Sequence, residues 1–308
     1  MSLVAMLKGT GESGFGYGST AEEVTEGLDL SGKTILITGC NSGLGKEAMR
    51  VLAMRGATVL GAARSQDKAD RACGEVSGEA IGVVCELSEP ESVLACVDAV
   101  AEHGAPLDAI ICNAGIMALP DLETKHGYEL QFFTNHVGHF ILVTGLLEQL
   151  AEAGRVVMLS SGAHTGAPDE GIQFDNLDGS KGYTPWKAYG QSKLANLLFA
   201  RELARRFEGS RRTANAVHPG VIATNLSRHM NVVARTAFAL GKPLFLKSVE
   251  QGAATETYVA VHPDVADVSG EYFADCNVAK SSRLGRDMQL ASRLWEETER
   301  IVDEVTPD

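Results

Sequence analysis

The feature that most constrains this chain is a regular alternation of short apolar runs with stretches of helical period. Residues 34–38, 57–63, 80–85, 107–113, 155–160 and 213–217 are nearly continuous in Val, Ile, Leu and Ala. Strands buried on both faces have this composition. Between them, 44–55, 89–102, 128–152 and 187–208 carry apolar residues at helical spacing. The alternation predicts an α/β fold in one doubly wound parallel sheet, with right-handed crossovers and helices on both faces. No internal repeat or second core interrupts it. Residues 1–30 are rich in Gly, Ser, Thr and Glu and lack an apolar period. They are expected to form an N-terminal extension with one short helix capped by Thr20, the domain proper spanning 31–308.

Charge and cysteine usage narrow the function classes. The net charge of −13 repels polyanions, so no nucleic-acid partner is expected. The one basic cluster, Arg205, Arg206, Arg211 and Arg212, falls at a predicted helix end, where cations complement the helix dipole. No apolar run reaches the roughly 18 residues of a membrane span. Cys40, Cys73, Cys85, Cys96, Cys112 and Cys276 form no CxxC pair. That pattern argues against a disulfide framework and a zinc site, and predicts reduced thiols and a cytoplasmic location. His136 and His139 stand one helical turn apart, but no carboxylate or cysteine accompanies them at ligand spacing, so no metal is expected.

The chemistry begins directly after the first predicted strand, with Thr38-Gly39-Cys40-Asn41-Ser42-Gly43-Leu44-Gly45. Gly39 permits a tight turn, Gly43 lets backbone approach a pyrophosphate, and Gly45 lets the following helix pack closely on the strand. The helix N-terminus then faces the anion. No Gly-Lys-Ser/Thr follows, so the loop is not a P-loop. Two stretches lack any period. Residues 162–185 hold five glycines and two prolines, and residues 219–247 are apolar but interrupted by Arg228, Arg235 and Lys242. Both follow strands at the carboxyl edge, where open α/β sheets bind ligands, and the second is expected to be a substrate lid.

The spacing G-x-x-x-G-x-G resembles that of the short-chain dehydrogenase/reductase family. Further motifs follow in the family's order: Asn113-Ala114-Gly115, Asn135, Ser161, Tyr189-x-x-x-Lys193, and Pro219-Gly220 with Thr224 beyond. The segment 189–201, the segment 269–276 and the 28-residue separation of Ser161 from Tyr189 resemble the retinol-dehydrogenase-like branch. The resemblance implies a Rossmann sheet and an oxidoreductase that interconverts an alcohol and its aldehyde or ketone. It implies a catalytic set of Asn135, Ser161, Tyr189 and Lys193. It also implies cofactor contacts from Asn41, Ser42, Leu44 and the three loop glycines, from Arg64, Glu86 and Leu87, from Asn113, Ala114 and Gly115, and from Pro219, Gly220, Ile222 and Thr224. Tyr189 and Lys193 would touch the cofactor too.

Tyr189 and Lys193, four apart on a predicted helix, share a face. A free phenol has a pKa near 10, and a cation about 4 Å away at an effective dielectric near 20 contributes roughly 3 pKa units. Lys193 is therefore expected to bring Tyr189 into the range of a general acid or base. By the resemblance, Lys193 also bonds the ribose hydroxyls, Ser161 bonds the substrate oxygen, and Asn135 holds a water. The predicted end of the second strand reads Ala63-Arg64 where an NAD site carries a carboxylate. Arg64 can pair a 2′-phosphate, so NADP(H) is expected over NAD(H). Partners would be a small lipophilic alcohol or carbonyl compound and, by extension, a second copy of the chain. The alternative is a catalytically silent dinucleotide-binding sensor or scaffold, but all four catalytic positions are intact.

Overall fold

The computed structural model describes residues 9–222 and 246–306. Its centre is a sheet of eight strands: β1 (Thr34–Thr38), β2 (Thr58–Ala63), β3 (Ala80–Val84), β4 (Leu107–Cys112), β5 (Leu150–Leu159), β6 (Thr213–His218), β7 (Tyr272–Ala274) and β8 (Asn277–Val278). They lie in the order β8-β7-β6-β5-β4-β1-β2-β3. Every neighbouring pair is parallel except the terminal β7–β8 pair. The order reverses between β1 and β4, which opens a crevice at their carboxyl ends, the usual ligand position of such sheets.

The apolar strands alternate their faces. Leu36 and Ile110 pack with Leu198, Phe199 and Trp295 on one side, while Ile35, Ile37 and Ile111 pack with Ala253 and Tyr258 on the other. The first side is covered by α3 (Pro90–His103), α5 (Pro185–Arg206) and the C-terminal α7 (Met288–Val305), the second by α1 (Gly43–Met54) and α6 (Val249–Val261). The basic cluster finds local partners: Arg205 and Arg206 pair with buried Glu202, and Arg206 lies 3.8 Å over the Trp295 ring.

The helix reading needs correction in two places. The helix expected over 128–152 is broken into Leu130–Phe132, a wider π-turn at Phe133–Val137, and Gly138–Gly145. Its tail instead begins β5, where Leu150 pairs with Leu107 across an irregular register. The Leu-rich run there satisfies either element, and the unpaired edge of β4 decides it. The helix α2 (Gln66–Gly74) went unread because only Ala69, Ala72 and Cys73 are buried, too few to make an apolar stripe. The extension before Ser31 packs on the core. Ala21, Val24 and Leu30 are buried, the Ala21 amide donates to Glu250 O, and Phe15 meets the Tyr258 ring edge-on at 5.6 Å. Thr20 does cap the short turn: its hydroxyl accepts from Glu23 N while the Glu23 carboxylate accepts from Thr20 N.

Candidate active site

The glycine loop forms a cradle at the crevice. Gly39 and Gly43 adopt φ of +74° and +57°, the left-handed region that glycine enters without strain. A Cβ on Gly45 would stand 2.5 Å from Gly39 O and overlap Asn113 Nδ2. The Asn113 amide ties the two strands together by donating to Thr38 O at 2.8 Å, and Ala114 N donates to Thr38 Oγ1. Ser42 precedes α1 without a side-chain capping bond. The first-turn amides thus face the crevice as an anion site. These features fit a dinucleotide pyrophosphate. Leu44 and Ile222 meet over Gly252, where a Cβ would lie 2.7 Å from both side chains. Leu87 is buried, and its main-chain oxygen closes directly on Gly138. Thr224 and most of the expected lid, residues 223–245, lie outside the described residues.

Beyond the cradle, α5 and the turn after β5 bring Tyr189, Lys193 and Ser161 together. Tyr189 and Lys193 are 7% and 3% exposed. The Lys193 ammonium lies 5.8 Å from the Tyr189 ring centre and donates to Leu159 O at 2.9 Å. Ser161 begins a short turn, its Oγ accepting from Ala163 N at 3.1 Å, and its side chain adjoins the Tyr189 hydroxyl. Gly115 faces both Asn135 Oδ1 and Lys193 Nζ, since a Cβ there would stand 2.9 and 3.4 Å from them. Asn135 sits in the π-turn and is fully buried. Its amide donates to Ile116 O and Ser192 Oγ, and its Oδ1 accepts from Ile116 N.

Burial dominates the electrostatics. It pushes the Tyr189 hydroxyl up to about 12, opposed by the Ser161 side chain. It pulls Lys193 down to about 8. The phenol therefore holds its proton at neutral pH, the reverse of the lowering expected from Lys193, because desolvation dominates. At the far end of the crevice Arg64 is exposed, with its Nε 3.9 Å from Glu86 Oε2. Glu86, expected to contact the cofactor, thus also faces the guanidinium.

Four positions escaped the sequence reading as parts of the site. His139 is buried and links Thr38 Oγ1, at 2.9 Å, to Asn135 O, at 2.8 Å, so it joins the glycine loop to the π-turn. Burial lowers its pKa to about 4 and leaves it neutral. His136 is likewise buried and bonds Thr298, and among the described residues no cluster of metal-ligating groups forms. His218 Nδ1 accepts from Gly162 N at 3.1 Å and Gly220 N at 3.4 Å, tying the Ser161 turn to the Pro219-Gly220 segment. The fourth, Glu256 on α6, is fully buried with neither carboxylate oxygen bonded. Its position within a polar-poor helix face was the available signal.

Comparisons with known proteins agree with this geometry. The family model for short chain dehydrogenases matches residues 33–232. The chain is 42% identical to short-chain dehydrogenase TIC 32 A, chloroplastic, of Brassica napus, over 98% of this chain and 99% of that one. It is 40% identical to retinol dehydrogenase 12 of Mus musculus, over 88% and 86%. Among solved structures, an uncharacterized protein from Mycobacterium paratuberculosis superposes with a TM-score of 0.74 at 32% identity, covering 92% of this chain and 98% of that one. A short chain dehydrogenase from Burkholderia cenocepacia J2315, solved in complex with NADP, gives 0.65 at 25% identity, covering 80% and 96%. The chloroplastic relatives overturn the expectation of a cytoplasmic location. That expectation rested on reduced thiols, and all six cysteines are buried, where they report no compartment. Among the described residues no helix is long and apolar enough to cross a membrane. The chain belongs to the short-chain dehydrogenase family, in its retinol-dehydrogenase-like branch, and is an oxidoreductase that binds a nicotinamide dinucleotide.

Proposed function

We propose that this enzyme interconverts a lipophilic alcohol and its aldehyde or ketone with NADP(H), and that Tyr189 is the proton donor and acceptor. The observation that carries the reading is the clustering of the buried Tyr189 phenol with Lys193, 5.8 Å from its ring centre, and with the Ser161 side chain. A buried phenol that keeps its proton is suited to protonating a developing alkoxide, and its neighbour Ser161 can orient the substrate oxygen. Lys193 stands beside the phenol as a cation, and its ammonium, close against Gly115, is placed to bond ribose hydroxyls. Asn135 has its side chain fully engaged, so its part is to hold the π-turn and Ser192 in place. A bound nicotinamide supplies the hydride chemistry. Ala63-Arg64 at the end of β2 supports NADP(H), because an exposed guanidinium favours a 2′-phosphate and no carboxylate replaces Ala63. Trp186, half exposed and edge-on to Tyr189 at 6.1 Å, offers an apolar surface next to the reacting group. Relatives named for retinol support the same substrate class.

The test is Tyr189→Phe, assayed with NADPH against long-chain and aromatic aldehydes. Dinucleotide binding should survive and turnover should collapse. A variant that keeps more than about a tenth of parental kcat has lost under about 1.4 kcal/mol of transition-state stabilisation, and Tyr189 is then not the acid.

A further inference from the structure

Lys247 is a lysine whose side chain is completely buried, an expensive choice for a core position. Its ammonium pairs with Asp275 Oδ1 at 2.7 Å and lies 4.9 Å from the centre of the Tyr17 ring. Asp275 occupies the turn between β7 and β8 with φ of +52°, in the left-handed region that Asp enters more readily than most residues other than glycine. The aliphatic stem of Lys247 runs under Gly220, where φ is +92° and a Cβ would lie 2.8 Å from Lys247 Cδ. Its main chain pairs with the same segment: Lys247 N donates to Val221 O at 2.9 Å, and Ile222 bridges Lys247 in parallel. Gly220 is in turn held by His218, which also holds the Ser161 turn. One residue therefore touches 220–222 from below and from the side, and is anchored at its far end by a charge pair.

The N-terminal residues close this arrangement. Asn277, two after Asp275, accepts from Ser13 N and donates to Phe15 O, while Gln251 donates to Gly18 O. Tyr17 is thereby fixed over the Lys247 ammonium. An apolar side chain would fill the same space at lower desolvation cost, whereas a buried ion pair holds one register and resists its neighbours. A shift of residues 220–222 would work against the Lys247–Asp275 pair.

We propose that Lys247 is a positioning residue for the reactive end of the cofactor site, and that Asp275 and Tyr17 hold it there, so that the N-terminal residues take part in cofactor binding. The proposal rests on the reading that Gly220 and Ile222 wall the dinucleotide near Ser161 and Tyr189. The experiment measures binding of two probes, NADPH and adenosine 2′,5′-bisphosphate, to the full-length parent, Lys247→Met, Asp275→Asn and Tyr17→Leu. The bisphosphate tests the adenosine half of the site, Arg64 and the glycine loop, without the nicotinamide end. Lys247→Met and Asp275→Asn should weaken NADPH roughly tenfold or more and leave the bisphosphate unchanged, with a smaller loss for Tyr17→Leu. Lys247→Arg should restore most of the affinity. Equal losses for both probes would mean general damage to the fold and would overturn the proposal, as would unchanged NADPH affinity. If Lys247→Met does not fold, Tyr17→Leu and Asp275→Asn decide by the same ratio. A parent that binds neither probe sinks the cofactor reading itself, a different outcome.

Discussion

Glu256→Gln isolates one buried carboxyl, and its effect on stability has a calculable pH dependence. Glu256 lies on α6 against the sheet, fully buried, with both oxygens unbonded. Burial raises its pKa from 4.5 to about 8, opposed by the charge of Lys193. Below pH 4.5 the carboxyl is protonated in folded and unfolded chains alike, and it imposes no titration cost. As pH rises from there, the unfolded chain loses the proton that the folded chain retains. Folding then loses about 1.4 kcal/mol per pH unit relative to a side chain that does not titrate. From pH 4.5 to neutrality the loss reaches about 3 kcal/mol, and it levels off near the folded value. Gln has the same shape and no titration. Urea unfolding of parent and variant across this range should therefore show the difference growing in favour of Gln, whatever its value at low pH. A difference that stays flat from pH 5 to 8 would refute the reasoning. Glu256 would then be ionised in the folded protein, with Lys193 as its counter-charge, and the two would titrate as a pair.

The remaining predictions concern the cofactor. Arg64→Ala should reduce the preference for NADPH over NADH in kcat/KM by roughly tenfold, mainly by weakening NADPH. Glu86→Gln should increase that preference, because it removes the carboxylate that faces the guanidinium; steady-state kinetics with both cofactors checks each. Gly45→Ala should abolish dinucleotide binding and lower stability by about 1–3 kcal/mol, since its methyl group would overlap Asn113 Nδ2 and approach Gly39 O. Thermal unfolding with and without NADPH reads both effects, and a variant still stabilised by NADPH would contradict the cradle geometry.

The sequence by itself determined the sheet, the cradle and the shared helix face of Tyr189 and Lys193, because each is encoded by neighbours in the chain. Apolar continuity marked β1 to β6, glycine placement marked the loop between β1 and α1, and the four-residue spacing put Tyr189 and Lys193 on one helix face. The boundaries of β5 were not legible, because Leu150 reads equally as helix or strand until β4 offers it an edge. The Tyr189 shift runs opposite to the sign that spacing suggests: spacing reveals the nearby cation, but only packing reveals how much water the phenol has lost. The same holds for His139 between Thr38 and Asn135, for Glu256 beneath the sheet, and for Lys247 locked between Gly220, Asp275 and Tyr17. These contacts join residues up to hundreds of positions apart. Desolvation and long-range pairing are properties of the assembled core, so the tertiary structure alone decided which charges were buried and what they hold in place.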